Sequence, residues 1–166
     1  EGNIGSWIQS IAAAWGSRVV VDGMGFILHN RASGFTLDAK HPNVLAGRKR
    51  PFHTIIPAFM EKDDFHIGFG IMGGQNQPLA HAQFASNFID FGMNLQEALE
   101  APRFTWRART GCAILVETRI SPRVLQELSA KGHQLDLRKE HSMLMGRGQA
   151  VLHDSRTKVN YGASDS

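Results

Sequence analysis

Gly70-Ile71-Met72-Gly73-Gly74-Gln75 is the stretch of this chain best suited to chemistry. An apolar run ends there in paired glycines, and a segment with helical spacing follows. Two glycines remove two Cβ atoms, so a ligand or another backbone can come close. Their N–H groups, near a helix N-terminus, can point at an anion or a developing oxyanion. A tight strand-to-helix turn with no ligand fits the same residues, and both readings stand at this level.

The other reactive residue types form no complete constellation. None of the eight histidines pairs with another at the i, i+4 spacing of a helical zinc motif. Cys112 is the single cysteine, which excludes an internal disulfide framework and a Cys-based zinc site. No metal and no cofactor are therefore expected. His53-Thr54 follows Arg48-Lys49-Arg50-Pro51 at a strand entrance, where side chains can line a site. Ser10, Ser17 and Thr54 are hydroxyls near strand ends, but none sits in a Gly-x-Ser-x-Gly elbow. No glycosidase-like carboxylate pair and no Gly-x-x-x-x-Gly-Lys phosphate loop are present.

The elements that must position these residues can be outlined from pattern. Near period-two alternation predicts a strand over 4–11, a turn over 12–16 and a buried strand over 17–22 carrying Val19-Val20-Val21. Asp22-Gly23-Met24-Gly25 is turn chemistry before a short strand over 26–29. Residues 30–52 read as a long functional or mobile loop. Apolar runs 54–61 and 65–72 predict a β-hairpin. Helices are expected over 77–91, stopped by Gly92, and over 95–101, capped by Asn94 and ended by Pro102. Strands follow at 104–106 and 113–117, a helix at 122–131 with Pro at its first position, a strand at 133–138, and a closing hairpin of 148–153 with 158–161. One mixed unit of helices and strands results, without repeats or linkers.

Composition fits that outline. The chain has 166 residues, 42% hydrophobic and 20% charged, which suits a globular domain and excludes predominant disorder. A net charge of +3 is a weak field, and the basic residues are scattered without aromatic interleaving, so no nucleic-acid partner is expected. No apolar run is long enough to cross a membrane. The lone cysteine fits a soluble protein of either the cytoplasm or the periplasm.

Several stretches, in order, resemble the gamma-glutamyltransferase (gamma-glutamyltranspeptidase, glutathione hydrolase) family, in the branch that includes cephalosporin acylase-like members. They are Gly2-Asn3, Phe26–Arg31, Arg50–Pro57, Gly70–Gly74, Asp90–Asn94, Ala98–Phe104 and Tyr161–Asp165. The match runs over residues 1–166 and corresponds to the small, C-terminal subunit, with both ends trimmed. The resemblance implies an α+β fold, part of an αββα sandwich of the N-terminal-nucleophile hydrolase type. It implies a self-cleaving precursor whose new N-terminal Thr attacks an acyl amide, and no cofactor. That Thr would lie upstream of Glu1. The implied partners are a large subunit, or the N-terminal portion of the same precursor, and a small gamma-glutamyl or related acyl-amide substrate.

Carried onto this chain, the family's oxyanion glycines fall on Gly73 and Gly74. The hydroxyl that supports the nucleophile falls on Ser10. The residues that read the glutamyl group depart from the family pattern. The Asn two positions beyond Ser10 is Ala12, and the Gln that follows the paired asparagines is Arg31. The Asp that holds the substrate α-amine is Gly34, and the serine pair for the α-carboxylate is His53-Thr54. An anion that would pair an ammonium is lost and a cation stands nearby, so an acyl group without an α-amine is expected. A non-catalytic fragment serving as a structural or binding domain is the competing expectation.

Overall fold

The computed structural model describes residues 2–106, 111 and 113–166; Glu1 and Cys112, both used above, lie outside them. The described residues fall into two compact units, one of 2–7 with 56–166 and one of 8–55.

The first unit is α+β. Strand β1 (Ala58–Lys62) and strand β2 (Phe65–Met72) form the expected hairpin, antiparallel, with Lys62 opposite Phe65. Asp63 takes the left-handed conformation (φ +52°) that so tight a connection requires. The hairpin begins at 58 rather than 54. Helix α1 (Gln77–Ile89) and helix α2 (Leu95–Glu100) follow. Asn94 and Glu97 form a reciprocal capping box at the start of α2. Gly92 ends the preceding turn with φ +67°.

Strands β3 (Phe104–Trp106), β4 (Ala113–Glu117) and β5 (Gln134–Arg138) make a three-stranded sheet in the order β3-β4-β5. Its parallel β4–β5 pair is bridged by helix α3 (Pro122–Ala130), whose N-cap is Ser121. Strands β6 (Arg147–Asp154) and β7 (Val159–Ser164) complete a four-stranded antiparallel sheet of order β1-β2-β6-β7.

Strict alternation explains the core. Ile67, Phe69 and Ile71 of β2 and Ala150 and Leu152 of β6 point to one face, where they meet Ala80 and Phe84 of α1 and Leu95, Ala98 and Leu99 of α2. Phe84, Ile71 and Leu99 are essentially inaccessible, and burying each such side chain contributes about 1.5–3 kcal/mol. On the opposite face Ile4 lies over Gly68, where an added Cβ would stand 2.8 Å from its Cγ2.

The N-terminal segment departs from expectation. Residues 4–11 form no strand. Ser6 ties this stretch to the sheet instead, its hydroxyl accepting from Ala58 N–H at 3.1 Å and donating to Phe69 C=O at 2.9 Å. One side chain thus occupies the β1–β2 end where a regular ladder would otherwise continue.

The second unit, 8–55, contains no regular strand and no helix longer than the 3₁₀ turn Arg31–Gly34. The expected strand over 17–22 reduces to one isolated bridge, Val20 with Ile27, closed by the expected turn at 22–25. Val19 and Val20 are 54% and 62% exposed, so this β-branched run is not a buried strand. β-propensity is realised only where a neighbouring sheet supplies burial, and none does here.

Candidate functional site

The Gly73-Gly74 turn sits where β2 ends and α1 begins. Gly73 has φ +149° and Gly74 φ +59°, conformations that L side chains rarely adopt. The turn's carbonyls are used by the helix start, Gly73 C=O accepting from Asn76 N–H at 3.1 Å and Gly74 C=O from Gln77 N–H. A Cβ on Gly74 would meet nothing within 4 Å, so that side of the turn is open. A Cβ on Gly73 would stand 3.2 Å from Gly146 Cα.

Gly146 forms the wall behind the turn. It has φ +82°, and a Cβ there would fall 2.1 Å from the Met72 carbonyl oxygen. Only glycine fits. Arg103, 5% exposed, holds this wall: its Nη1 donates to Gly146 C=O at 3.2 Å, and its Nη2 donates to Leu99 C=O and to Asp165 Oδ2, the latter at 2.6 Å. Asp165 Oδ2 also accepts from Gly148 N–H at 2.8 Å. Buried Glu117 accepts from Arg103 N–H, from Ser142 N–H and from Arg119 Nη2. Every charge in this cluster therefore has a hydrogen-bonded partner, as burial demands.

His81 supports the same strand end from α1. Its Nε2 accepts from Ile71 N–H at 2.9 Å, which requires a lone pair there. Burial holds its pKa below the ordinary 6.5 and favours that neutral form. Just beyond the turn, both amide atoms of buried Asn76 and the Oε1 of buried Gln77 have no hydrogen-bond partner among the described residues.

The remaining candidates lie in the second unit, where polar side chains staple three segments together. Asn30 joins the first two: its Oδ1 accepts from Ala13 N–H at 3.0 Å and its own N–H donates to Ile11 C=O. Asn43 joins the others, donating through Nδ2 to Gly34 C=O at 2.5 Å and accepting Phe52 N–H at 3.1 Å. Ser10, Arg31, Gly34, His53 and Thr54 thus stand on, or next to, segments tied to one another. Ser10 is exposed, its Oγ accepting from Ala12 N–H at 3.0 Å. Arg31 is half-buried, with its Nε buried and unpartnered among the described residues. A side chain on Gly34 would find the Phe52 carbonyl oxygen at 3.9 Å and nothing nearer.

Arg103, Asp165, Gly146, His81 and Asn43 received no role from the sequence. Arg103, Asp165 and Gly146 meet partners distant along the chain, Arg103 and Asp165 by 62 residues, while His81 and Asn43 bond to backbone 10 and 9 positions away. Arg103 and Asp165 do stand within the stretches that carry the family resemblance, which was the available signal.

Comparison with known proteins converges on one family. A family model described as gamma-glutamyltranspeptidase matches residues 1–166. The chain is 35% identical to the glutathione hydrolase-like YwrD proenzyme of Bacillus subtilis, over 98% of this chain and 32% of that protein. A crystal structure of cephalosporin acylase from Bacillus halodurans superposes with a TM-score of 0.85 at 42% identity, covering 95% of this chain and 29% of that one. A mutant gamma-glutamyltranspeptidase of Helicobacter pylori superposes with a TM-score of 0.83 at 29% identity, covering 99% and 93%. The chain spans about a third of the length of the curated relatives it matches.

Proposed function

Because this chain belongs to the gamma-glutamyltranspeptidase family, whose solved members have the N-terminal-nucleophile hydrolase fold, we propose that it is the small-subunit part of an amidohydrolase or acyltransferase. The rest of the same precursor is its partner, and the nucleophile is an N-terminal Thr that precedes Glu1. The α-amine of that Thr, with an ordinary pKa near 7.7, acts as its base at neutral pH. The hydroxyl adds to the amide carbonyl, the tetrahedral intermediate expels the amine, and water or an acceptor amine then resolves the acyl-enzyme.

The observation that carries this reading is the Gly73-Gly74 turn. The turn stands at the start of α1 with the Gly74 flank open, a position from which its N–H groups would face a developing oxyanion. Ser10 supports the nucleophile by hydrogen bonding.

Arg31, Gly34, His53 and Thr54 select the acyl group. Gly34 presents only backbone where an ammonium would need a carboxylate. Arg31 repels an ammonium and pairs bidentately with a carboxylate. The preferred acyl group therefore has a terminal carboxylate and no α-amine, as in a glutaryl amide. A polar site rejects a mismatched charge steeply, because the unpaired group is left desolvated.

The test uses the complete precursor after self-processing. Glutaryl-anilide should exceed gamma-glutamyl-anilide in kcat/KM, and Arg31→Gln with Gly34→Asp should reverse the order. A wild-type preference for gamma-glutamyl-anilide refutes the acyl assignment. Gly74→Ala should lower kcat about a hundredfold or more, the effect of losing one oxyanion donor. Near-normal turnover at normal stability would reduce the glycine pair to a turn. The 166-residue chain alone should release no anilide from either substrate. A processed precursor that also releases none would leave a purely structural or binding role.

A further inference from the structure

Two glutamine side chains stand where a neighbouring strand would. Gln83 of α1 bonds both ways to Phe104 of β3, its Nε2 donating to the carbonyl at 3.0 Å and its Oε1 accepting from the N–H at 3.1 Å. Gln96 of α2 does the same to Ser164 of β7, donating at 2.8 Å and accepting at 3.2 Å. A primary amide carries the donor and acceptor of a peptide group, so each glutamine closes a sheet edge at one residue.

The two edges differ in what is left over. β3 has three residues, whereas β7 has six and Gln96 reaches only the last. The N–H and C=O groups of alternate residues point to the same side of a strand. Ser164 turns both of its groups away from β6 and toward Gln96, so Asn160 and Gly162 turn theirs the same way. β7 ends its sheet, so no strand among the described residues meets them. Val159–Ser164 contains no charge and no proline, the usual devices that keep an edge from pairing.

An apolar cavity of about 570 Å³ lies along the same edge. Phe65, Leu152, Tyr161 and Gly162 form its sheet side, and Phe88 and Leu95 its helix side. Register sets Tyr161 opposite Leu152, on the helix-covered face. A strand added about 4.8 Å beyond β7 would send every second side chain to that face, beside Tyr161 and over the cavity.

We propose that β7 is the docking edge for an extended segment of the precursor outside this chain. That segment pairs with Asn160 and Gly162 and sends one large apolar side chain, of the Leu, Ile, Met or Phe type, into the cavity. The inference rests on the reading that the rest of the precursor is the partner. The chain spans only about a third of the curated relatives it matches, so the length to supply such a segment lies outside it. A small molecule in the cavity would leave the peptide groups of the edge unpaired, whereas an added backbone satisfies both features.

The test uses the complete, self-processed precursor carrying Tyr161→p-benzoylphenylalanine, at a position 51% exposed in this chain. Irradiation should cross-link β7 to one segment of the other portion, mapped by mass spectrometry, and that segment should carry a large apolar residue at the linkage. In the unsubstituted precursor, hydrogen exchange resolved to single residues should find the Asn160 and Gly162 amides slowed as strongly as those of Tyr161 and Ala163, which face β6. Gly162→Pro removes one outward donor and should remove most of the cross-link. Gly162→Ala, whose Cβ meets nothing within 4 Å, should leave it unchanged. Cross-links confined to this chain or made to a second copy of it, or Asn160 and Gly162 amides that exchange freely, would overturn the proposal. The exchange result needs no variant, so it decides the matter even where Gly162→Pro fails to fold. Neither readout uses turnover: a processed precursor that cross-links but releases no anilide refutes the acyl-transfer reading and leaves the docking edge in place.

Discussion

Residues 56–166 with Gly2–Trp7 contain all thirteen buried hydrophobic side chains among the described residues, whereas residues 8–55 contain none. The first unit is held by sheet ladders and a helix-covered core. The second is held by side chains that bond to nearby backbone: Ser10, Ser17, Thr36, Asp38, Asn30 and Asn43 each take part. Such local bonds each contribute about 0.5–1.5 kcal/mol net and bring little apolar burial with them. The contrast teaches where variation is cheap. The proposed oxyanion turn stands on the rigid unit, and the residues assigned to acyl choice stand on the unit whose side chains can change without opening a core.

Four perturbations sharpen or break this contrast. The largest effect is expected in the first unit. Phe84→Ala removes an inaccessible ring that lies tilted against Phe69 with centroids 4.8 Å apart, and should lower unfolding free energy by about 3–5 kcal/mol. Chemical denaturation measures it; a loss below about 1 kcal/mol would mean the core is not shared by α1 and the sheet.

Next comes acid sensitivity at His81. Its folded pKa is held below 6.5 by burial, so above about pH 6.5 both folded and unfolded forms are neutral and stability is full. As pH falls below 6.5 the unfolded chain takes up the proton first, and stability is lost until the folded pKa is passed. His81→Gln can still accept from Ile71 N–H without titrating. Its Tm should fall less than that of the parent chain from pH 7 to pH 5, and parallel profiles would discount His81.

Asn43→Ala removes the link from Gly34 to Phe52 and should cost about 1 kcal/mol, confined to the second unit. Hydrogen exchange should quicken at the Phe52 amide and stay unchanged across β2 and β6. Quickening throughout both units would show that they do not open separately.

The smallest effect has the opposite sign. Ala12 adopts φ +75°, where Asn is far better tolerated. Ala12→Asn should stabilise the second unit by roughly 0.5–1 kcal/mol. Slower exchange at the Ala13 amide checks it, and faster exchange would mean the new side chain disrupts the bond to Asn30.

Legibility followed the same division. The two helices after Gly74, the strands at 104–106 and 113–117, and the closing hairpin stand close to their expected bounds, because periodicity, caps and burial agree there. The strands expected at 4–11 and 17–22 did not form, because period-two patterning cannot create a neighbouring strand to pair with.

Glycine spacing, capping residues and the ordered family stretches belong to the sequence itself, since each acts over a few residues or by resemblance. They determined the family, the α+β class and the likeness of Gly73-Gly74 to an oxyanion turn. Tertiary structure alone decided that Gly146 walls that turn, that Arg103 finds Asp165, and that Gln96 closes the sheet edge at Ser164. Those contacts join residues 62 or more positions apart, and only strand register and core packing determine which distant groups meet.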